Sequence, residues 1–101
     1  MTDRKSKGLG GTRLVVRELK IVNPLGLHAR PAALFVKTAT RFESDIVVEK
    51  DGNSVSGKSI MGLMTLEVGA GSVLRVTAEG PDAEEALDEL QTLVNNKFFE
   101  D

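Results

Sequence analysis

The chain carries a single histidine, His28, and no cysteine. His28 lies in the stretch Asn23-Pro24-Leu25-Gly26-Leu27-His28-Ala29-Arg30-Pro31-Ala32-Ala33, shortly before an arginine and a proline. An apolar run with helical spacing follows Pro31, which suits the first turn of a helix, where the missing proline N–H leaves nothing unpaired. His28 is then placed just outside that turn, beside backbone N–H groups that have no partner within the helix. Those donors and the positive end of the helix dipole make an anion site. An imidazole there keeps a nitrogen lone pair available for attack, and Arg30 adds a planar cationic fork suited to phosphate oxygens. A nucleophile beside an anion cradle points to phosphoryl transfer.

The neighbouring segments must hold that stretch in place. Leu14 to Val22 is rich in Val, Leu and Ile, and its second half alternates, with Leu19 and Ile21 to one side and Glu18 and Lys20 to the other; this predicts a half-buried strand that ends in the turn residues Asn23 to Gly26. Ala29 to Arg41 reads as a helix with Ala32, Ala33, Phe35, Val36 and Ala39 on its apolar stripe. Asp45 to Lys50 alternates around Ile46 and Val48, Asp51-Gly52 suits a tight hairpin, and the weak return strand Asn53 to Ser56 is expected at a sheet edge. Ser59 is placed to cap a short helix in which Gly62 costs about 1 kcal/mol relative to alanine. With Leu63 and Leu66 inward, Ile60, Met61 and Met64 are left partly exposed, as a surface for partners would need; the alternative is that all of them are core.

Ser72 to Glu79 alternates strictly, with Leu74, Val76 and Ala78 inward. Asp82 and Glu85 match a capping box ahead of a final helix whose Ala83, Ala86, Leu87, Leu90, Leu93 and Val94 share one face, closed by Lys97. Phe98 and Phe99 suit either packing or fraying. The order strand, helix, strand, strand, helix, strand, helix, with one apolar face per helix, implies an α+β fold in which one sheet is covered on one side. Residues 1–12, polar, basic and glycine-rich, read as a flexible extension to a domain over 13–101.

With 101 residues there is room for one domain. A net charge of −2 and the absence of Tyr and Trp argue against nucleic-acid binding, and no segment is long and apolar enough for membrane insertion. Lack of cysteine fits a reducing cytoplasm. One histidine and no thiol would leave carboxylates to supply most ligands of a zinc site, so no metal is expected. No serine sits in a nucleophile elbow and no insertion could enclose a substrate, so a group carrier fits better than a stand-alone enzyme.

Gly26-Leu27-His28-Ala29-Arg30-Pro31-Ala32 together with Lys58-Ser59-Ile60-Met61-Gly62-Leu63-Met64 resembles the HPr family, the histidine phosphocarriers of the bacterial phosphoenolpyruvate-dependent sugar phosphotransferase system. The resemblance spans about residues 14 to 97. It implies an open-faced β-sandwich, a four-stranded antiparallel sheet under three helices (βαββαβα), and no cofactor. His28 would accept a phosphoryl group on Nδ1 from Enzyme I and pass it to the A domain of a sugar permease, with Arg30 stabilising the phosphate. Ser59 matches the regulatory serine that an ATP-dependent HPr kinase/phosphorylase modifies, which implies a transcriptional regulator as a further partner. Ile60, Met61 and Met64 match the docking patch for Enzyme I and the A domains.

Two other readings stand beside this one: a carrier of the nitrogen-related branch, and a regulator acting through phospho-Ser59 alone, against which His28 counts because relatives of that kind lack it. Three features depart from the family pattern. The basic extension before residue 13 is absent from the usual short form. Leu25 replaces a polar residue that approaches the histidine in some relatives, and Gly62 replaces a basic residue of enterobacterial-type relatives.

Overall fold

A computed structural model describes residues 13–100; the segment read as a flexible extension, residues 1–12, lies outside the described residues. Four strands form one antiparallel sheet: β1 (Arg13–Lys20), β2 (Asp45–Lys50), β3 (Asn53–Ser56) and β4 (Val73–Gly80). Their spatial order is β1-β4-β2-β3. Helices α1 (Ala29–Ala39), α2 (Ile60–Thr65) and α3 (Ala83–Asn95) cover one face, as the one-sided helices require.

Alternation sets which side of each strand is buried. Leu19 of β1, Ile46 and Val48 of β2, and Leu74, Val76 and Ala78 of β4 turn toward the helices and join the core with Ile21. From the helices come Ala32, Phe35 and Ala39 of α1, Leu63 of α2, and all six expected residues of α3, with Leu66 just beyond α2. On the open face Glu18, Arg75 and Glu49 line up across β1, β4 and β2, so opposite charges neighbour one another. Arg17, on the covered side, reaches over the core edge to Asp88 at 2.8 Å and Glu84 at 3.5 Å on α3.

The hairpin between β2 and β3 turns at Asp51 and Gly52, both with positive φ (52° and 85°), the backbone that a tight antiparallel turn demands. β3 lies at the sheet edge as expected. Helix α1 stops at Ala39 rather than Arg41, and Ala33, assigned to its apolar stripe, is exposed. Ala32 and Phe35 centre the buried arc, and Ala33 falls on its rim, where alanine's small side chain loses little by facing water.

The capping box does not form. Asp82 is the residue before α3, but its side chain makes no cap hydrogen bond. Its carboxylate instead accepts the Ser44 hydroxyl at 2.6 Å and the N–H groups of Ser44 and Glu43, both at 2.9 Å. Three donors from one turn outcompete the local helix N–H groups, and they tie the end of α1 to the start of α3. The same donors, the Ser44 hydroxyl foremost, hold the Asp82 carboxyl below its ordinary value of 3.8. A lowered folded-state pKa gives stability that is present above the unfolded value and is lost as pH falls through the folded one. We therefore expect wild type to be more stable than Asp82→Asn at neutral pH and the difference to shrink in acid, below about pH 4, as read by urea denaturation at a series of pH values.

Candidate functional site

Ile21 closes the sheet end through its N–H to the Ser72 carbonyl at 2.8 Å, and the chain then turns at Asn23 to Gly26. The Gly26 N–H donates to the Asn23 carbonyl at 3.1 Å, and Leu27 N–H to the Val68 carbonyl at 2.9 Å. Gly26 has a φ of 69°, and a Cβ there would run into the Val68 carbonyl oxygen. Only glycine combines that conformation with that approach.

The next residue, His28, is the N-cap of α1, with extended φ and ψ of −77° and −173°. Its carbonyl accepts the Ala32 N–H at 2.9 Å, the first bond of the helix. Its side chain makes no cap hydrogen bond, so the ring is left for other work, and the early N–H groups, with Pro31 contributing none, remain the unpaired donors of a helix start. Arg30, in the first turn, is exposed and makes no ion pair among the described residues. Histidine and arginine are thus brought to one helix start.

The ring has a partner that neither motif contains. His28 Nε2 lies 3.0 Å from Glu100 Oε2, with the histidine side chain 38% and the glutamate side chain 18% exposed. Glu100 Oε1 accepts from Asn23 Nδ2 at 3.0 Å, and the same amide donates to the Gly26 carbonyl at 2.6 Å. Asn23 is fully buried. A left-handed turn returns the carboxylate to this position: Lys97, Phe98 and Phe99 have φ values of 54°, 55° and 60°. Each non-glycine residue in that region costs about 1 kcal/mol, offset by the Phe98 side chain, which sinks into the core while Phe99 stays exposed. The choice between packing and fraying is therefore split between the two phenylalanines.

The second motif forms α2 on the flank of α1. Ser59 has extended φ and ψ of −124° and 112°, and its hydroxyl accepts the Gly62 N–H at 2.9 Å, an N-cap bond. A Cβ on Gly62 would lie 3.1 Å from both Ser59 Oγ and Val55 Cβ, so glycine leaves the cap its room. Lys50 Nζ donates to the Leu66 and Glu67 carbonyls at 3.2 and 3.1 Å, closing the other end. Ile60 and Met64 are exposed, and Met61, at 79%, more so. Leu25 also stands exposed in the turn before His28. The sequence-level alternative, a wholly buried α2, is not what forms.

Asn23 and Glu100 escaped the reading of the sequence. Asn23 carries only the signal of a turn residue, and Glu100 follows two phenylalanines with no local pattern to mark it. Removing the Ser59 hydroxyl takes away an N-cap, and Ser59→Ala is expected to cost about 1 kcal/mol, measurable as a lower urea midpoint at unchanged slope.

Comparison with known proteins agrees with this geometry. The family described as "PTS HPr component phosphorylation site" matches residues 15–96. The chain is 46% identical to the phosphocarrier protein HPr of Treponema pallidum (strain Nichols) over 88 residues, 87% of this chain and 100% of that one. It is also 46% identical to the HPr-like protein Crh of Bacillus subtilis (strain 168) over 84 residues, 83% of this chain and 99% of that one. Among solved structures, HPr of Thermoanaerobacter tengcongensis superposes with a TM-score of 0.83 at 52% identity, covering 86% of this chain and 98% of that one. With the four-stranded sheet, the three helices and both motifs in place, the chain belongs to the HPr family of phosphocarriers.

Proposed function

We propose that this protein carries a phosphoryl group on Nδ1 of His28, receiving it from phospho-Enzyme I and delivering it to a histidine on the A domain of a sugar permease. The observation that carries this reading is the placement of a solvent-reachable imidazole at the N-cap of α1 with its side chain unused for capping. In the transfer, the Nδ1 lone pair forms a new N–P bond while the bond from phosphorus to the donor nitrogen breaks, its electron pair staying with the donor. The backbone N–H groups of the first turn and the Arg30 guanidinium take up the charge on the phosphoryl oxygens. The exposed ring lets donor and acceptor approach in line, and the delivery step is the same event reversed with a new partner. Exposure also screens the charges, so the phosphorylated form is held only moderately, as a carrier requires.

Ile60, Met61 and Met64 serve as the docking patch for both classes of partner: an apolar and adaptable surface on the helix packed against α1. Ser59 is the control point. Phosphorylation by an ATP-dependent kinase adds negative charge at a helix start, where the dipole tolerates it, so the effect falls on partner binding more than on folding. The site of action is the cytoplasm, where such partners meet. Relatives named HPr-like protein Crh match at similar identity, and beside the carrier stands a second reading, a regulator that works through phospho-Ser59 alone; His28 weighs for the carrier. A carrier of the nitrogen-related branch would share the same chemistry and differ in its partners.

Incubation with Enzyme I and phosphoenolpyruvate is expected to give wild type an acid-labile, base-stable phosphate and His28→Ala none. Equal labelling of the two, or no labelling of wild type, overturns the carrier reading. With the cognate kinase and ATP, acid-stable phosphate is expected on wild type and absent from Ser59→Ala; no incorporation into wild type would reduce Ser59 to a cap.

A further inference from the structure

The carboxylate behind the histidine ring is held from two directions. Asn23, fully buried, donates from Nδ2 to Glu100 Oε1 at 3.0 Å and to the Gly26 carbonyl at 2.6 Å, so the amide that orients the carboxylate is itself oriented by the turn before His28. From the other side, the left-handed turn at Lys97 to Phe99 is pinned by buried Phe98 and by two hydrogen bonds, Phe99 N–H to the Asn96 carbonyl at 2.8 Å and Glu100 N–H to the Lys97 carbonyl at 3.0 Å. Glu100 Oε2 is left facing His28 Nε2 at 3.0 Å.

We propose that Glu100 is a positioning residue for His28, keeping the ring proton on Nε2 so that the free lone pair is on Nδ1. An ionised carboxylate can only accept, so the nitrogen that faces it must be the donor, and a neutral imidazole has one donor and one acceptor. The purpose of this arrangement rests on the phosphocarrier reading; its geometry does not.

The same proton matters after transfer. When Nδ1 gives its lone pair to phosphorus and the donor nitrogen keeps the electrons of the broken bond, the His28 ring still holds its Nε2 proton and becomes cationic. Glu100, on the opposite edge from the phosphoryl group, offsets that charge. When the group departs, the bonding pair returns to Nδ1 and the ring is neutral again. Glu100 thus acts through the imidazole and never touches phosphorus.

The test is 15N NMR of the full chain labelled at histidine, in mildly alkaline buffer. Wild type is expected to show a protonated, pyrrole-type Nε2 and a pyridine-type Nδ1. Glu100→Ala is expected to move both resonances toward mixed values and to slow phosphoryl gain from phospho-Enzyme I about tenfold, the scale of one charge-assisted hydrogen bond. Resonances in Glu100→Ala identical to wild type overturn the proposal. Wild-type protein that gains no phosphate sinks the carrier reading instead and leaves the tautomer measurement standing.

Discussion

A close approach between two stretches of backbone governs the whole site. Gly26 lies against the Val68 carbonyl and Gly69, and the Leu27 N–H bonds that same carbonyl at 2.9 Å. The connection from α2 to β4 is therefore the surface against which the turn after β1 is pressed. His28 comes next in the chain, so its place at the head of α1 follows from this contact and from nothing in its own side chain. A residue with a Cβ at position 26 would have to push the turn away, and the imidazole would move with it.

At that fixed point the His28 ring has a carboxylate at its Nε2 edge and an arginine in the same helix start. The helix N–H groups and Arg30 favour negative charge at the helix start, while Glu100 supplies a carboxylate to His28 Nε2. Ile60, Met61 and Met64 stand exposed on α2, the helix packed against α1. Ser59 stands at the start of that helix as its cap, so any modification of its hydroxyl alters the head of the surface a partner would meet.

The strands and helices were legible because each is written in local periodicity. Leu74, Val76 and Ala78 alternate, and the six buried positions of α3 recur at helical spacing, so their inward faces follow without knowledge of the rest of the chain. Asp82 is the instructive failure. Its spacing to Glu85 matched a capping box, but Ser44 and Glu43, far away in sequence, offered its carboxylate three donors. Ala33 shows the milder case, where a residue at the rim of a stripe is assigned inward and the packing partner does not extend to cover it.

The site divides along the same line. His28, Arg30, Pro31 and Ser59 could be placed at helix starts from sequence alone, since capping and proline preferences involve only residues within one turn. Exposure of Ile60, Met61 and Met64 needed the packing of α2 to decide it, because an apolar helix reads the same whether one face or every face is buried. Glu100 is 72 positions from His28, and the turn that returns it depends on Phe98 finding room in a core built from all three helices and the sheet. Local preference determined where His28 stands; only the tertiary fold decided which carboxylate stands behind it, because a contact across that distance is set by the shape of everything packed between.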